Sequence, residues 1–239
     1  MIFLKKYKII FIKPTRVGGS SFEVCLSKFA NKEDIITPIK REEVRERMGL
    51  LKPRNYKYSI NETIKLSKIL FVKSLLKRSM PRKFYNHMPA NEIRNKLGDK
   101  IWNESLKVSI IRNPFDQLIS YYYRTIKKEN LKSLNFNEWC KNNPSILTQN
   151  KRHYQIDGKN IIDFFIKYEN FERDILSLEK KIPELNGLYD TFKNTYAPAY
   201  SGSRPQNLDI KKFYENASEI KKLVEILNYD DIKNFNYSL

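Results

Sequence analysis

The chain has 239 residues, a length that suits one α/β domain with a buried core. Hydrophobic residues make up 41% of it, which excludes a disordered chain although 30% of the residues are charged. The 45 Lys and Arg against 27 Asp and Glu give a net charge of +18, which favours an anionic partner. Two cysteines are too few for a disulfide framework, and no apolar stretch reaches the length of a membrane span. We therefore expect a cytoplasmic protein.

The first predicted element is a strand that runs into a glycine-rich turn. Residues 7–12 are mostly apolar and rich in isoleucine, and the apolar residues after position 21 recur at helical spacing. The turn and the cation before it are formed by Arg16, Gly18, Gly19, Ser20 and Ser21. A glycine turn at a helix N-terminus offers N–H groups and a positive dipole end to an anion, so the stretch predicts a P-loop-like phosphate site. The same connection also occurs in α/β proteins without a ligand, and it matches neither a Walker A loop nor a dinucleotide fingerprint.

The next region, residues 31–83, is basic and poorly patterned, and we interpret it as a mainly helical insertion or an acceptor-side region. Residues 40–47 have mixed charge and predict a solvated helix, and residues 60–76 predict a second helix. Residues 73–83 carry five basic side chains. Two interpretations of these side chains remain open: they form a solvated face, or they contact the acceptor or a phosphate.

The next predicted strand is followed directly by a second sequence motif. Residues 106–111 alternate and are β-branched, and Arg112-Asn113-Pro114 follows with an N-cap and a first-turn proline. A helix continues from it, a third strand is expected at 160–168, a loop at 195–208 and a last helix at 213–227. Strands separated by helices predict a single α/β domain over residues 1–239, with a central, mostly parallel sheet flanked by helices. Both motifs then lie at the carboxyl ends of strands, where such sheets bind ligands.

The two motifs, in this order, resemble those of sulfotransferases that use 3′-phosphoadenosine 5′-phosphosulfate (PAPS), in particular the branch acting on carbohydrates. That family has a Pro-Lys-Thr-(Ala/Gly)-Gly-Thr-Ser-like loop, in which Arg16 falls at the lysine and Ser20-Ser21 at Thr-Ser. Its second motif is Arg-(Asn/Asp)-Pro with a serine eight residues after the arginine, which here are Arg112 and Ser120. The likeness covers about two-thirds of the chain in patches, and residues 31–83 lie outside it.

The resemblance implies a role for each matched residue. The Gly18–Ser21 turn and Arg16 would hold the 5′-phosphosulfate and stabilise the leaving phosphate, and Arg112 and Ser120 would hold the 3′-phosphate. Arg204, which stands in a loop, would close over the same group or form a structural salt bridge. Arginine in place of the family lysine keeps the charge but does not donate a proton, because its pKa is too high.

Few side chains suit the role of catalytic base, because the chain has two histidines, His87 and His153. A histidine suits proton removal from an acceptor hydroxyl, and the resemblance favours His87. We expect His153 at the surface or on the acceptor side. Glu23, one turn into the first helix, is the alternative base or a partner of the helix dipole.

The sequence therefore predicts an enzyme that moves a sulfuryl group from PAPS to a hydroxyl acceptor, here interpreted as a glycan, without a metal. A P-loop-type phosphotransferase is one alternative, although it requires a lysine directly before Ser20, where Gly19 stands. A nucleic-acid-binding protein is another, and the even spread of lysine along the chain disfavours it. The acceptor and the oligomeric state are not predicted.

Overall fold

A computed structural model describes residues 1–40, 42–131, 133–195, 204–205 and 207–239. The strands are β1 (Ile2–Leu4), β2 (Ile9–Ile12), β3 (Ile35–Ile36), β4 (Leu106–Ile111), β5 (Gln155–Ile156), β6 (Lys159–Asn160) and β7 (Phe164–Lys167). The helices are α1 (Gly19–Leu26), α2 (Glu42–Arg47), α3 (Ile60–Leu66), α4 (Lys68–Leu76), α5 (Ala90–Leu97), α6 (Asp99–Glu104), α7 (Pro114–Glu129), α8 (Phe136–Asn142), α9 (Lys151–Tyr154), α10 (Phe171–Lys181), α11 (Leu188–Thr195), α12 (Ile210–Glu215), α13 (Ser218–Leu227) and α14 (Tyr229–Asn234).

Within the described residues the central sheet has five strands in the order β3-β1-β2-β4-β7. β2 pairs in parallel with β4, and β4 pairs in parallel with β7. β1 pairs antiparallel with both β2 and β3, so β3 points the same way as β2. Four of these five strands therefore share one direction. The predicted single α/β domain with a mixed, mostly parallel sheet flanked by helices is confirmed.

Both faces of the sheet are buried against helices. Alternate residues of each strand point to opposite faces. Ile9 and Phe11 of β2 pack on one face with the apolar residues of α1, α10 and α11. Ile10 and Ile12 pack on the other face with those of α5 and α6. A third cluster joins α7, α8, α12 and α13 beside the sheet. These cores fix the ends of the parallel strands in space.

The first strand is shorter than expected and has an additional partner. The strand predicted over residues 7–12 corresponds to β2, which covers only Ile9–Ile12. β1 precedes it and pairs with it as the other strand of a hairpin. Lys8 has a φ of 51° in the turn between them, a left-handed conformation that its sequence does not signal. The third strand is likewise shorter than residues 160–168, because β7 covers only Phe164–Lys167.

Two helices that the sequence predicts as continuous are each divided in two, and a third helix, α2, is less exposed to solvent than expected. Ser67 is extended with a φ of −171° and separates α3 from α4 within residues 60–76. The predicted helix over 213–227 becomes α12 and α13, which meet at Ala217. The mixed-charge segment forms α2, but its Arg45 is fully buried. In the predicted loop 195–208, Tyr200 lies outside the described residues.

The carboxyl ends of β2 and β4 form the point where the chain connections diverge. After β2 the chain leads through α1 to β3 on one side of the sheet, whereas after β4 it leads through α7 to β7 on the other side. Parallel sheets bind ligands in the crevice at such a switch point. The two sequence motifs follow the two strands that border it.

Candidate active site

The turn after β2 leaves the start of α1 open. The helix begins at Gly19, and Gly18 is its N-cap with a left-handed φ of 72° and no side-chain hydrogen bond. Ser20 and Ser21 therefore lie inside the first turn of the helix. The first N–H groups of a helix have no carbonyl partner within it. The Ser21 N–H donates to the Gly18 carbonyl at 3.1 Å. Without a capping side chain, the N–H groups before it remain suited to an anion.

Each glycine of the turn also fits against a neighbouring side chain. A Cβ at Gly19 would lie 2.6 Å from Cγ of Lys13, which is fully buried. A Cβ at Gly18 would lie 3.0 Å from Cζ of Phe171, in a conformation that L-residues rarely adopt. The sequence suggested glycines for close approach to a ligand, and the fold adds packing as a second reason for them.

Arg16 joins the two motifs. Its Nε and Nη2 atoms donate to the hydroxyl oxygen of Ser120 at 3.0 and 2.7 Å. Its backbone carbonyl accepts from Nη1 of Arg112 at 2.8 Å. Arg16 itself has a φ of 63°, a strained value for a residue with a Cβ. We expected its side chain beside the Gly18–Ser21 turn, whereas it lies with the residues matched to the 3′-phosphate.

Arg112 lies at the centre of a cation cluster. Its Nε donates to Oδ2 of Asp116 at 2.6 Å, and its guanidinium stacks over the ring of Tyr168 with 4.1 Å between Cζ and the ring centroid. Arg204 contacts the other oxygen of the same carboxylate. Asp116 therefore links Arg112 and Arg204 and holds them on one side of the crevice. The predicted salt bridge of Arg204 is present, and it lies within the candidate site.

The backbone just before Arg16 is fixed by a buried amide. Oδ1 of Asn150 accepts from the backbone N–H of Thr15 at 2.9 Å, and its Nδ2 donates to the carbonyl of Thr15 at 2.8 Å. Gln117 donates to the same carbonyl, and Tyr121 contacts the Thr15 hydroxyl. Burial raises the pKa of Tyr121 to about 12, so it stays a neutral hydrogen-bonding group. These contacts give the Arg16 backbone its position.

His87 contacts the same loop at Lys13. Its Nδ1 is 3.1 Å from the carbonyl of Lys13, and since a carbonyl only accepts, this nitrogen carries the proton. Nε2 is then the lone-pair nitrogen of the neutral ring. Burial, followed by the charge of Lys13, lowers the pKa of His87 to about 3. The residue has a φ of 57° and is, after Arg16, the second residue with a Cβ in the site that has a left-handed backbone.

His153 is buried, not at the surface as we expected. Its Nε2 lies 3.1 Å from the backbone carbonyl of His87, and the two rings are 6.4 Å apart edge to face. Burial lowers the pKa of His153 to about 4, so the ring is neutral near pH 7 and has one N–H. Nδ1 also faces a carbonyl, that of Asn150 at 3.3 Å, and the shorter contact of Nε2 assigns the proton to that nitrogen. Asn150 and His153, one turn apart, thus hold the Thr15 and His87 loops together.

Glu23, the alternative base, lies below the turn and away from solvent. It forms an ion pair with Lys13, and its other oxygen is 4.0 Å from Nη2 of Arg45 and 3.2 Å from the hydroxyl of Thr37. Burial acts to raise its pKa, but the neighbouring cations outweigh it and keep the pKa well below its usual range. Such a carboxylate serves as a buried counter-ion and is poorly suited to accept a proton.

The fold thus brings Arg16, Arg112, Ser120 and Arg204 together, and His87 contacts Lys13 of the loop that leads to Arg16. Sequence reasoning missed Asp116, Asn150 and Tyr168, whose roles arise from contacts across the chain. Among the described residues no group of three or more His, Cys, Asp or Glu side chains is placed to hold a metal ion. In the same part of the chain, none of the helices combines the length and the apolar character that a bilayer-spanning segment needs.

Comparison with known proteins identifies one relative by sequence. No family model matches the chain. An uncharacterized protein of the archaeon Archaeoglobus fulgidus is 38% identical over 101 residues, which cover 40% of this chain and 82% of the archaeal protein. The chain belongs to the same family as this archaeal protein. The relationship assigns no activity to either of them.

One solved structure aligns over nearly the whole chain. It is the crystal structure of a sulfotransferase from Alicyclobacillus acidocaldarius, and the alignment covers 93% of this chain and 95% of that one. The sequences are 14% identical, and the TM-score is 0.38. A likeness at this level carries no argument about the function of the present chain.

Proposed function

We propose that the protein is a sulfotransferase that moves a sulfuryl group from PAPS to a hydroxyl acceptor. One observation carries the proposal: the Arg16 guanidinium donates twice to the Ser120 hydroxyl, although 104 residues separate them. The strand-ending motif with Arg16 and the one with Arg112 and Ser120 therefore form one site at the switch point of the sheet. A donor with two separate phosphate positions needs such a pair of neighbouring anion sites.

The first anion site is the uncapped start of α1, at the Gly18–Ser21 turn that follows β2. We assign it the 5′-phosphosulfate. Its backbone donors stabilise charge on the leaving phosphate oxygen, as preorganised donors do in other group transfers. Sulfuryl transfer, like phosphoryl transfer, depends mainly on positioning and charge stabilisation.

The second anion site consists of Arg112, Ser120 and Arg204, to which the contacts of Arg16 add a third cation. We assign it the 3′-phosphate. Asp116 orients the guanidinium groups of Arg112 and Arg204. An arginine guanidinium group binds phosphate through two N–H donors, which suits it to this task better than lysine. The side chain of Arg16 lies at the second site and can serve the leaving phosphate only by turning away from Ser120.

We assign proton removal to Nε2 of His87. As the acceptor oxygen forms its bond to sulfur and the sulfur–oxygen bond to the phosphate breaks, the acceptor proton passes to this nitrogen. Burial and the charge of Lys13 keep the ring unprotonated before the substrates bind. The negative charge of a bound donor favours the imidazolium and so raises the basicity of His87 when it is needed. The acceptor class that we favour is a glycan hydroxyl, with residues 31–83 on the acceptor side.

Calorimetric titration with adenosine 3′,5′-bisphosphate, the product of the donor, tests the assignment. Ser120→Ala removes the hydroxyl shared by Arg16 and the 3′-phosphate site, and we expect about tenfold weaker binding because a hydrogen bond to a charged group is lost. Ser177→Ala is the matched control, since this exposed helical serine donates to the Arg173 carbonyl within its own helix and belongs to neither anion site. Adenosine 5′-monophosphate should bind the wild type and Ser120→Ala alike.

The rivals predict different results in the same experiments. Thermal stabilisation by ATP with magnesium, but not by the bisphosphate, would indicate a phosphotransferase. Salt-dependent binding to oligonucleotides that the bisphosphate does not displace would indicate a nucleic-acid-binding protein. Transfer of radiolabelled sulfate from PAPS to a panel of mono- and oligosaccharides, with phenols and steroids as the comparison set, then tests the acceptor class.

A further inference from the structure

The helical pair α3 and α4, here called the basic hairpin (residues 60–78), carries an unusual surface. Its most exposed apolar side chains are Leu76 at 81% and Ile69 at 70%. Five others are also exposed, namely Ile60, Ile64, Leu66, Val72 and Leu75. A monomeric protein in water rarely leaves so many neighbouring apolar side chains uncovered, so this surface indicates a partner.

The hairpin buries its small polar residues instead. Thr63 is 0% exposed and Ser74 is 4% exposed, while α3 and α4 pack against each other. The Thr63 hydroxyl donates to the Ser59 carbonyl and the Ser74 hydroxyl to the Leu70 carbonyl, so both are satisfied within their own turns. A helix pair whose outer surface faces water has the opposite arrangement, with apolar residues between the helices and polar residues outside. Small residues between helices and apolar residues outside are typical of helices in contact with lipid.

The charge around the apolar side chains has one sign. Residues 63–83 contain seven Lys and Arg and no Asp or Glu. The cations on and just after α3 and α4 are Lys65, Lys68, Lys73, Lys77 and Arg78. Among the described residues none of these five forms an ion pair, and all five are exposed. Their charge is therefore available to an anionic surface.

We propose that the basic hairpin docks the protein onto an anionic lipid bilayer, with Ile69, Leu76 and their apolar neighbours inserted at the headgroup level. α3 has 7 residues and α4 has 9, too short to cross a bilayer but sufficient for an interfacial segment. Lysines beside inserted apolar residues add attraction to anionic headgroups, and two signals together give stable binding where one does not. The hairpin is thus a peripheral anchor.

A second copy of the chain fits this surface less well. In a two-fold dimer the same patch meets itself, so the five cations of each hairpin would face those of the other. Like charges brought together in an apolar interface oppose association. An anionic bilayer removes that repulsion and covers the same side chains.

The hairpin is also tied firmly to the rest of the fold. Its two ends meet through an antiparallel bridge between Lys57 and Arg82, and the Tyr58 backbone N–H donates to the Pro81 carbonyl at 3.0 Å. Phe84, which follows directly, is buried in the core on the α5 face of the sheet. Docking through the hairpin therefore orients the whole domain, and this inference does not depend on the proposed reaction.

Sedimentation with vesicles tests the proposal. The wild type should bind vesicles of 70% phosphatidylcholine and 30% phosphatidylglycerol and should bind pure phosphatidylcholine weakly. Ile69→Ser with Leu76→Ser should weaken binding to the anionic vesicles roughly tenfold, because the inserted apolar area is lost. The control pair is Leu223→Ser with Ile226→Ser on α13, also exposed, which should leave binding unchanged.

Charge is tested separately, since a chain of net charge +18 attracts anionic vesicles from any side. Lys73→Gln with Lys77→Gln should weaken binding about tenfold, and Lys211→Gln with Lys212→Gln on α12 should weaken it less than twofold. Hydrogen exchange of the wild type should show protection of residues 60–78 on vesicle binding, which needs no variant to fold. Equal losses for test and control pairs, no protection of the hairpin, or a wild-type dimer that Ile69→Ser with Leu76→Ser dissociates would overturn the proposal.

Discussion

The ring of His153 donates from Nε2 to the backbone carbonyl of His87 at 3.1 Å. This contact fixes a residue whose φ of 57° is unfavourable without outside support. Nδ1 of His87 donates in turn to the Lys13 carbonyl, so one contact holds the backbone of His87 and the other its ring. His153 is therefore a positioning residue for the proposed base, although it is too far inside the protein to meet a substrate.

His153→Ala should lower kcat about 100-fold and leave the affinity for adenosine 3′,5′-bisphosphate within twofold, because the anion sites do not involve this ring. His153→Gln should restore most of kcat, since its amide can donate to the His87 carbonyl as Nε2 does. Steady-state kinetics and calorimetry measure the two quantities. If His153→Ala lost nucleotide affinity and turnover together, and His153→Gln did not rescue, His153 would have a general structural role only.

Acid should destabilise the protein through both histidines. Their pKa values in the folded chain, about 3 for His87 and about 4 for His153, lie below the ordinary value near 6.5. Between pH 6.5 and pH 4 the unfolded chain binds more protons than the folded one, so the free energy of unfolding falls as the pH falls. Melting temperatures from pH 8 to pH 4 should show this loss, and His153→Gln should make it smaller. An unchanged pH dependence in His153→Gln would show that its ring does not contribute.

The sequence allowed the strand ends to be predicted better than the contacts among them. Alternation and the Arg-Asn-Pro motif located β4 and α7, because their signals are local. The side-chain direction of Arg16 depends on Ser120, which is 104 residues away, and the support from Asn150 is 135 residues from Thr15. The burial of His153 likewise follows from its packing against His87. Such long-range contacts leave no periodic signal in a single sequence.

Glu23→Gln distinguishes a buried counter-ion from a catalytic base. Removal of the carboxylate leaves Lys13 buried without its ion-pair partner, whereas Arg45 keeps Glu42, and we expect a loss of about 3–5 kcal/mol in the free energy of unfolding. Urea denaturation measures it. Glu46→Gln is the control, because its ion pair with Lys52 is exposed and should contribute less than about 1 kcal/mol. A stable Glu23→Gln protein without turnover would transfer the role of base from His87 to Glu23.

Gly18→Ala tests how tightly the phosphate turn is packed, and Gly158 offers a matched control. Both glycines have a φ of 72°, but a Cβ at Gly158 would meet nothing within 4 Å, whereas one at Gly18 would lie 3.0 Å from Phe171. The left-handed backbone alone should cost Gly158→Ala about 1–2 kcal/mol of unfolding free energy. Gly18→Ala should lose a further 1–3 kcal/mol or so, because Phe171 has to move.

The same pair of variants connects packing to binding. Displacement of the Gly18 N-cap should move the N–H groups at the start of α1, so Gly18→Ala should bind adenosine 3′,5′-bisphosphate at least about tenfold more weakly than Gly158→Ala, as measured by calorimetry. Equal stability of the two variants would mean that Phe171 yields without cost. Equal affinity, despite unequal stability, would mean that the glycine turn serves the fold alone and that the anion site lies wholly with Arg112 and Ser120.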